Sequence, residues 1–102
     1  MSTAAGKRHM GRVAALGCEL CRYLRLAEDT PAVVHHIMDG RGGWGKASDF
    51  ETIPLCPEHH VGKTGVHGLG SQLFPLVHGI TEQRLLQRTL AQLGIDYEED
   101  HV

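Results

Sequence analysis

Thr52-Ile53-Pro54-Leu55-Cys56-Pro57-Glu58-His59-His60, TIPLCPEHH, is the stretch that decides the fold. A short apolar run gives way at Cys56 to a proline suited to a first helical position, so a strand passes directly into a helix bearing two histidines. Upstream, residues 32–37 follow Pro31 and are partly β-branched, which predicts a partner strand. Residues 40–45 between them, GRGGWG, are too rich in glycine for either element and read as a loop. The order is strand, loop, strand, helix.

Helices flank this unit. Met10, Val13, Ala14 and Leu16 recur at helical spacing through KRHMGRVAALG, and Gly17 stands where a left-handed cap closes that helix just before Cys18. On the other side, GSQLFPLVHG gives a short helical piece and TEQRLLQRTLAQLG a clear amphipathic helix. Thr81 is its N-cap, Leu85, Leu86, Leu90 and Leu93 line one side, and Gly94 follows its end. There is no internal repeat. The expectation is one α+β domain over residues 1–102, with flexible ends at 1–7 and 97–102.

A chain of 102 residues has a thin core, and this one is poor in aromatics and carries 13 glycines, so it needs a staple. A metal would supply one. No apolar stretch follows the charged start, and none reaches the ~20 residues of a membrane span, so the expectation is a cytoplasmic protein with no membrane partner. In that reducing compartment an odd number of cysteines, three, points to metal ligation rather than to disulfides.

The net charge of −2 argues weakly against nucleic-acid binding, but the charge is unevenly spread. Lys7, Arg8, Arg12, Arg22 and Arg25 stand against Glu19 in the first quarter, while Asp96, Glu98, Glu99 and Asp100 crowd the tail. A solvated basic helix and a binding patch fit this equally well.

Cys18 and Cys21 form C-x-x-C, and Cys56 with His59 forms C-x-x-H. Two such half-sites make a Cys₃His set that fills a tetrahedral Zn²⁺, leaves no position for substrate and is therefore structural. His60 is the alternative fourth ligand. His59 is preferred because its spacing from Cys56 matches that of Cys18 and Cys21, and because successive helical residues point ~100° apart.

His35, His36 and His60 then remain close together in the strand-loop-strand-helix unit, more imidazoles than packing needs. Hydrolysis of a phosphodiester requires a base to deprotonate water and a cation to stabilise the departing oxygen, and histidine serves as base or ligand near neutral pH.

The succession C18-x-x-C21, H35-H36-I37 and L55-C56-x-x-H59-H60 resembles the HNH (ββα-metal) endonuclease signature with its zinc knuckle. With HHIxDGR, the block D-x-x-TIPLCPEHH and H67-G-x-x-x-x-x-F, it is most similar to the phage recombination-enhancement (Ref-like, RecA-dependent) nucleases, over residues 8–90. The resemblance implies a ββα-metal unit that cuts DNA, with a RecA-type recombinase filament as a further partner. It implies His36 as general base, with His35 and His60 as ligands of a catalytic ion, Mg²⁺ or Mn²⁺, with Zn²⁺ as a further option.

A regular strand sends His35 and His36 to opposite faces, so the shared role requires an irregular backbone there. The motif asparagine is absent; Asp49 or Glu51 takes its place in orienting the base, Asp49 being preferred. His67 is either a third ligand of the catalytic ion or a polar loop residue, and His9 and His78 read as surface or core-edge histidines.

Arg41 and Lys46 flank the glycine-rich loop, Trp44 lies in it and Lys63 follows the ligand helix, a pattern suited to DNA phosphates and base stacking, or simply to a solubilised loop. Arg84 and Arg88 fit a solvated helix face better than a phosphate contact. The rival to a nuclease is a non-catalytic zinc module for nucleic acid or protein, in which only the knuckle matters.

Overall fold

In the computed structural model, which describes residues 2–38 and 48–95, Thr3 opens the first helix: its hydroxyl accepts the Gly6 N–H at 3.0 Å. A cap of this kind is worth about 1 kcal/mol. Helix α1 (Ala4–Ala15) thus begins inside the stretch expected to be a flexible end, and Gly17 closes it at φ 82°, a conformation a side chain would oppose. Helix α2 (Glu19–Tyr23) follows at once, with Cys18 as its cap.

Strand β1 (Val33–His36) pairs antiparallel with β2 (Thr52–Leu55), and Pro57 starts α3 (Pro57–His60). Helix α4 (Val66–His78) is broken at Gly70, and α5 (Glu82–Gln92) is capped by Thr81. The architecture is α+β, a two-stranded ribbon and short helix of ββα type, flanked by helices on both sides.

The register decides which residues share a face. Val33 pairs with Leu55, Val34 with Pro54, His35 with Ile53 and His36 with Thr52, and the Ile37 N–H continues the ladder to the Glu51 carbonyl. Directly opposed residues point the same way. His35, Ile53 and Leu55 therefore face the main core, with Val33 on the same face but exposed beyond its edge, while Val34, His36, Thr52 and Pro54 face the other side.

On the core side, Ile37, Ile53 and Leu55 pack with Leu20, Phe74, Leu85, Leu86 and Leu90, and all three cysteines belong to the same cluster. On the other side α1 packs across both strands, burying Val13 and His9. Expected at the surface or core edge, His9 at 1% exposed is not at the surface but on the inward stripe with Gly6 and Val13, its ring 4.9 Å from that of Phe50.

Glu19 is fully buried and receives Arg22 at 3.1 Å, Arg88 at 2.8 Å and Gln92 at 3.1 Å. This network joins α2 to α5, and it is what allows the Glu19 carboxylate to be buried, since a buried charge without partners is strongly destabilising. Arg88 therefore has a structural role beside the expected solvated one: it pairs with Glu19 and lies over Tyr23 while its side chain stays partly exposed. Among the described residues no helix is long and apolar enough to cross a membrane.

Candidate metal centres

Cys18 and Cys21 bracket the first turn of α2, and Cys56 and His59 the single turn of α3, so each half-site is held by a helix start. The Cys21 N–H reaches Cys18 Sγ at 3.4 Å, which turns the first thiol inward. Cys21 Sγ lies 3.7 Å from Cys56 Sγ, and His59 Nδ1 lies 3.7, 3.5 and 3.4 Å from the sulfurs of Cys18, Cys21 and Cys56.

Zinc–sulfur and zinc–nitrogen bond lengths set tetrahedral edges of ~3.8 Å between sulfurs and ~3.6 Å between sulfur and nitrogen. The four spacings are those edges, so the donor set and its size both fit zinc. All four residues are buried, which leaves no face for a substrate. Burial pushes the Cys18 thiol up to about 12 despite the N–H groups of Cys21 and Cys56, so an ion must displace a firmly held proton. Burial, then the neighbouring His78, lowers the His59 pKa and favours the neutral ligand form.

His60 points away from this site, as the helical angle requires, and meets His35 and His67. Ring centroids are 5.1 Å apart for His35 and His60, 5.3 Å for His35 and His67, and 4.8 Å for His60 and His67. One ligand nitrogen from each lies within 4.8 Å of the other two, so three imidazoles can close on one ion. His35 is buried, His60 half-buried and His67 exposed, so this cluster opens to solvent where the knuckle does not. Burial, reinforced by His35 and His67, lowers the His60 pKa and holds it in the neutral form that can ligate.

His67 arrives because the turn after α3 folds tightly back. A Cβ on Gly65 would lie 2.7 Å from the Glu58 carbonyl oxygen, and one on Gly68 would collide with that of Gly62. Glu58 clamps the same turn by accepting the Thr64 hydroxyl at 2.6 Å and its N–H at 3.0 Å. His78 braces it from α4, with Nε2 2.7 Å from the Thr64 carbonyl oxygen.

His36 stands outside the cluster. The irregular strand end that a shared role was expected to need is not there: the ladder is regular through His36 and Ile37, so His35 and His36 point to opposite faces. His36 Nε2 instead lies 2.8 Å from Asp49 Oδ1. Asp49 is held in turn, its carbonyl accepting the Thr52 hydroxyl at 3.0 Å. Glu51 has a different task, accepting the Ser48 N–H at 3.2 Å.

Lys63 is exposed on the turn joining the two ligand helices. Arg41, Lys46 and Trp44 lie outside the described residues. Sequence reasoning missed Glu82, which lies 3.0 Å from His35 Nε2. The available signal was its position one turn before Leu85 and Leu86, on the inward face of α5.

A two-stranded ribbon, a short ligand-bearing helix, a closed thiolate site and an open imidazole site together define a small ββα-metal protein. Within that class the assignment is specific. The chain belongs to the family described as recombination enhancement, RecA-dependent nuclease, whose model matches residues 2–94. No curated protein matches the chain.

Proposed function

We propose that the protein is an HNH-type, metal-dependent endonuclease that hydrolyses DNA phosphodiester bonds. The observation that carries this reading is the convergence of His35, His60 and His67 on one solvent-open point beside a closed Cys₃His set. Structural ions are enclosed by their ligands, whereas catalytic ions keep a position for water or substrate. His35, His60 and His67 would hold a divalent ion, Mg²⁺, Mn²⁺ or Zn²⁺, of which three imidazoles best suit the softer Zn²⁺, and the ion would supply positive charge to the departing 3′ oxygen.

His36 is the base in this proposal. Asp49 accepts the proton-bearing Nε2 of His36, which leaves Nδ1 with the lone pair that takes a proton from water. Asp49 thus fixes both tautomer and ring, the work expected of the absent asparagine. The ribbon separates His36 from the ion, but β1 ends at His36 and neighbouring Cα atoms are only ~3.8 Å apart. The irregular backbone set as the condition for a shared role is absent, so His36 as base requires instead a phosphate that lies across the end of the ribbon and meets both faces.

Lys63, with Arg41 and Lys46, would grip flanking phosphates. A recombinase filament is the partner to which the family's description points.

Plasmid nicking tests the proposal, with Mg²⁺ or Mn²⁺ and with and without a RecA-type filament on the DNA. His36→Ala should lower cleavage by about 10²–10⁴-fold, the range of a general base, with both ions retained. Full activity in His36→Ala overturns its role as base. A folded, ion-loaded wild type that never cuts leaves the knuckle-only binding module as the better description.

A further inference from the structure

Glu82 is 2% exposed, a carboxylate drawn almost entirely out of water at the first helical position of α5. A charge there is tolerated only when something answers it. Its Oε1 lies 3.0 Å from His35 Nε2 and also accepts the Met38 N–H at 2.8 Å. The N-terminus of α5 adds its own positive end. One oxygen therefore holds both the buried imidazole of the cluster and the backbone where the chain leaves β1.

We propose that Glu82 is the positioning residue of the open metal site: it fixes His35 as the Nε2–H tautomer and presents Nδ1 to the ion. The proposal rests on the reading of His35, His60 and His67 as ion ligands. A carboxylate can accept a hydrogen bond and not give one, so His35 Nε2 must carry the proton. Nδ1 alone then has a lone pair for a metal. The cluster needs this more at His35 than elsewhere, because His35 enters from a strand fixed by its ladder while His60 and His67 ride on helices joined by one turn.

A carboxylate behind a ligating histidine fixes its orientation and raises its basicity. The device also makes α5, more than forty residues along the chain from β1, part of the ion site.

The test compares wild type, Glu82→Ala and Glu82→Gln by titrating metal-free protein with Co²⁺ and Zn²⁺. The knuckle's thiolate-to-cobalt absorption reports one ion, and total stoichiometry with imidazole ¹⁵N shifts reports the other. The wild type should bind two ions, with His35 bound through Nδ1 and protonated on Nε2.

Glu82→Ala should weaken the second ion by about 10–100-fold, the usual cost of losing such a partner, and leave the knuckle ion in place. Glu82→Gln keeps an acceptor but not the charge and should fall between. If the alanine variant fails to fold, the glutamine variant decides. Unchanged affinity for the second ion in a folded variant, or His35 ligating through Nε2, overturns the role of Glu82. A wild type that takes up one ion only overturns the ion-site reading itself.

Discussion

His36 Nε2 and Asp49 Oδ1 stand 2.8 Å apart on the α1 side of the ribbon, across the strand from the imidazoles that His35 joins. The pair is packed from above by α1, whose Gly6 leaves room for the carboxylate: a Cβ there would come within 2.6 Å of Asp49 Oδ2.

Gly6→Ala is the quiet way to disturb this pair. Alanine favours the helix by about 0.5–1 kcal/mol but drives its methyl into Asp49. Nicking should fall while both ions stay bound. Gly11→Ala, whose Cβ meets nothing within 4 Å, gains the helix preference alone and should cut like wild type. Equal activity in the two variants would show that the Asp49 position is irrelevant to cutting.

Removal of the knuckle ion should unfold the chain. Apparent binding free energies of structural zinc are about 10–16 kcal/mol, as large as the whole stability of a small domain at about 5–15 kcal/mol. The three thiols are part of the main core, not an appendage to it. A strong chelator, or Cys56→Ser, should abolish the cooperative melt seen by circular dichroism, and zinc uptake should release protons because Cys18 otherwise keeps its own. A chelated protein that still melts cooperatively at the original temperature contradicts this.

His9 should make the fold sensitive to acid. Burial, helped by Arg12, lowers its pKa in the folded protein below the ordinary value of 6.5. As pH falls through 6.5 the unfolded chain takes up a proton that the folded one refuses, so stability present above 6.5 is lost on the way down to the folded pKa. Its Nε2 also has no hydrogen-bond partner among the described residues, a cost of about 1–3 kcal/mol for a buried polar group. His9→Leu should therefore melt no lower than wild type at pH ~7.5 and lose less on moving to pH ~5.5. A lower melting temperature with the same acid sensitivity would refute both points.

Much of the framework was legible because it is local. The run TIPL became β2, Pro57 opened α3, Thr81 capped α5, and Gly17 and Gly94 closed helices in left-handed conformations. Each depends on dihedral preferences or capping within a few residues. The knuckle was legible for a related reason: paired donors at fixed spacing sit on one turn of helix whatever lies around them.

Partners distant in the chain were not. Glu19 reads as one acid in a basic stretch, and nothing near it announces Arg88 and Gln92 of α5. His9 reads as a surface or core-edge histidine until α1 is laid on the ribbon. Glu82 reads as the acid that helix starts prefer, which it is, and its second role appears only when α5 meets His35.

The sequence by itself determined the ribbon, the helices α1, α3 and α5 and the knuckle donors, since backbone preference and ligand spacing act over a few residues. The tertiary structure decided how the donors divide. The unbroken ladder turned His36 to Asp49 and His35 to Glu82, and the glycine-lined turn after α3 carried His67 onto His60. The pleat set the two histidines apart locally, but the partners each meets and the close backbone approach between elements come from residues distant in the chain and have no local signature.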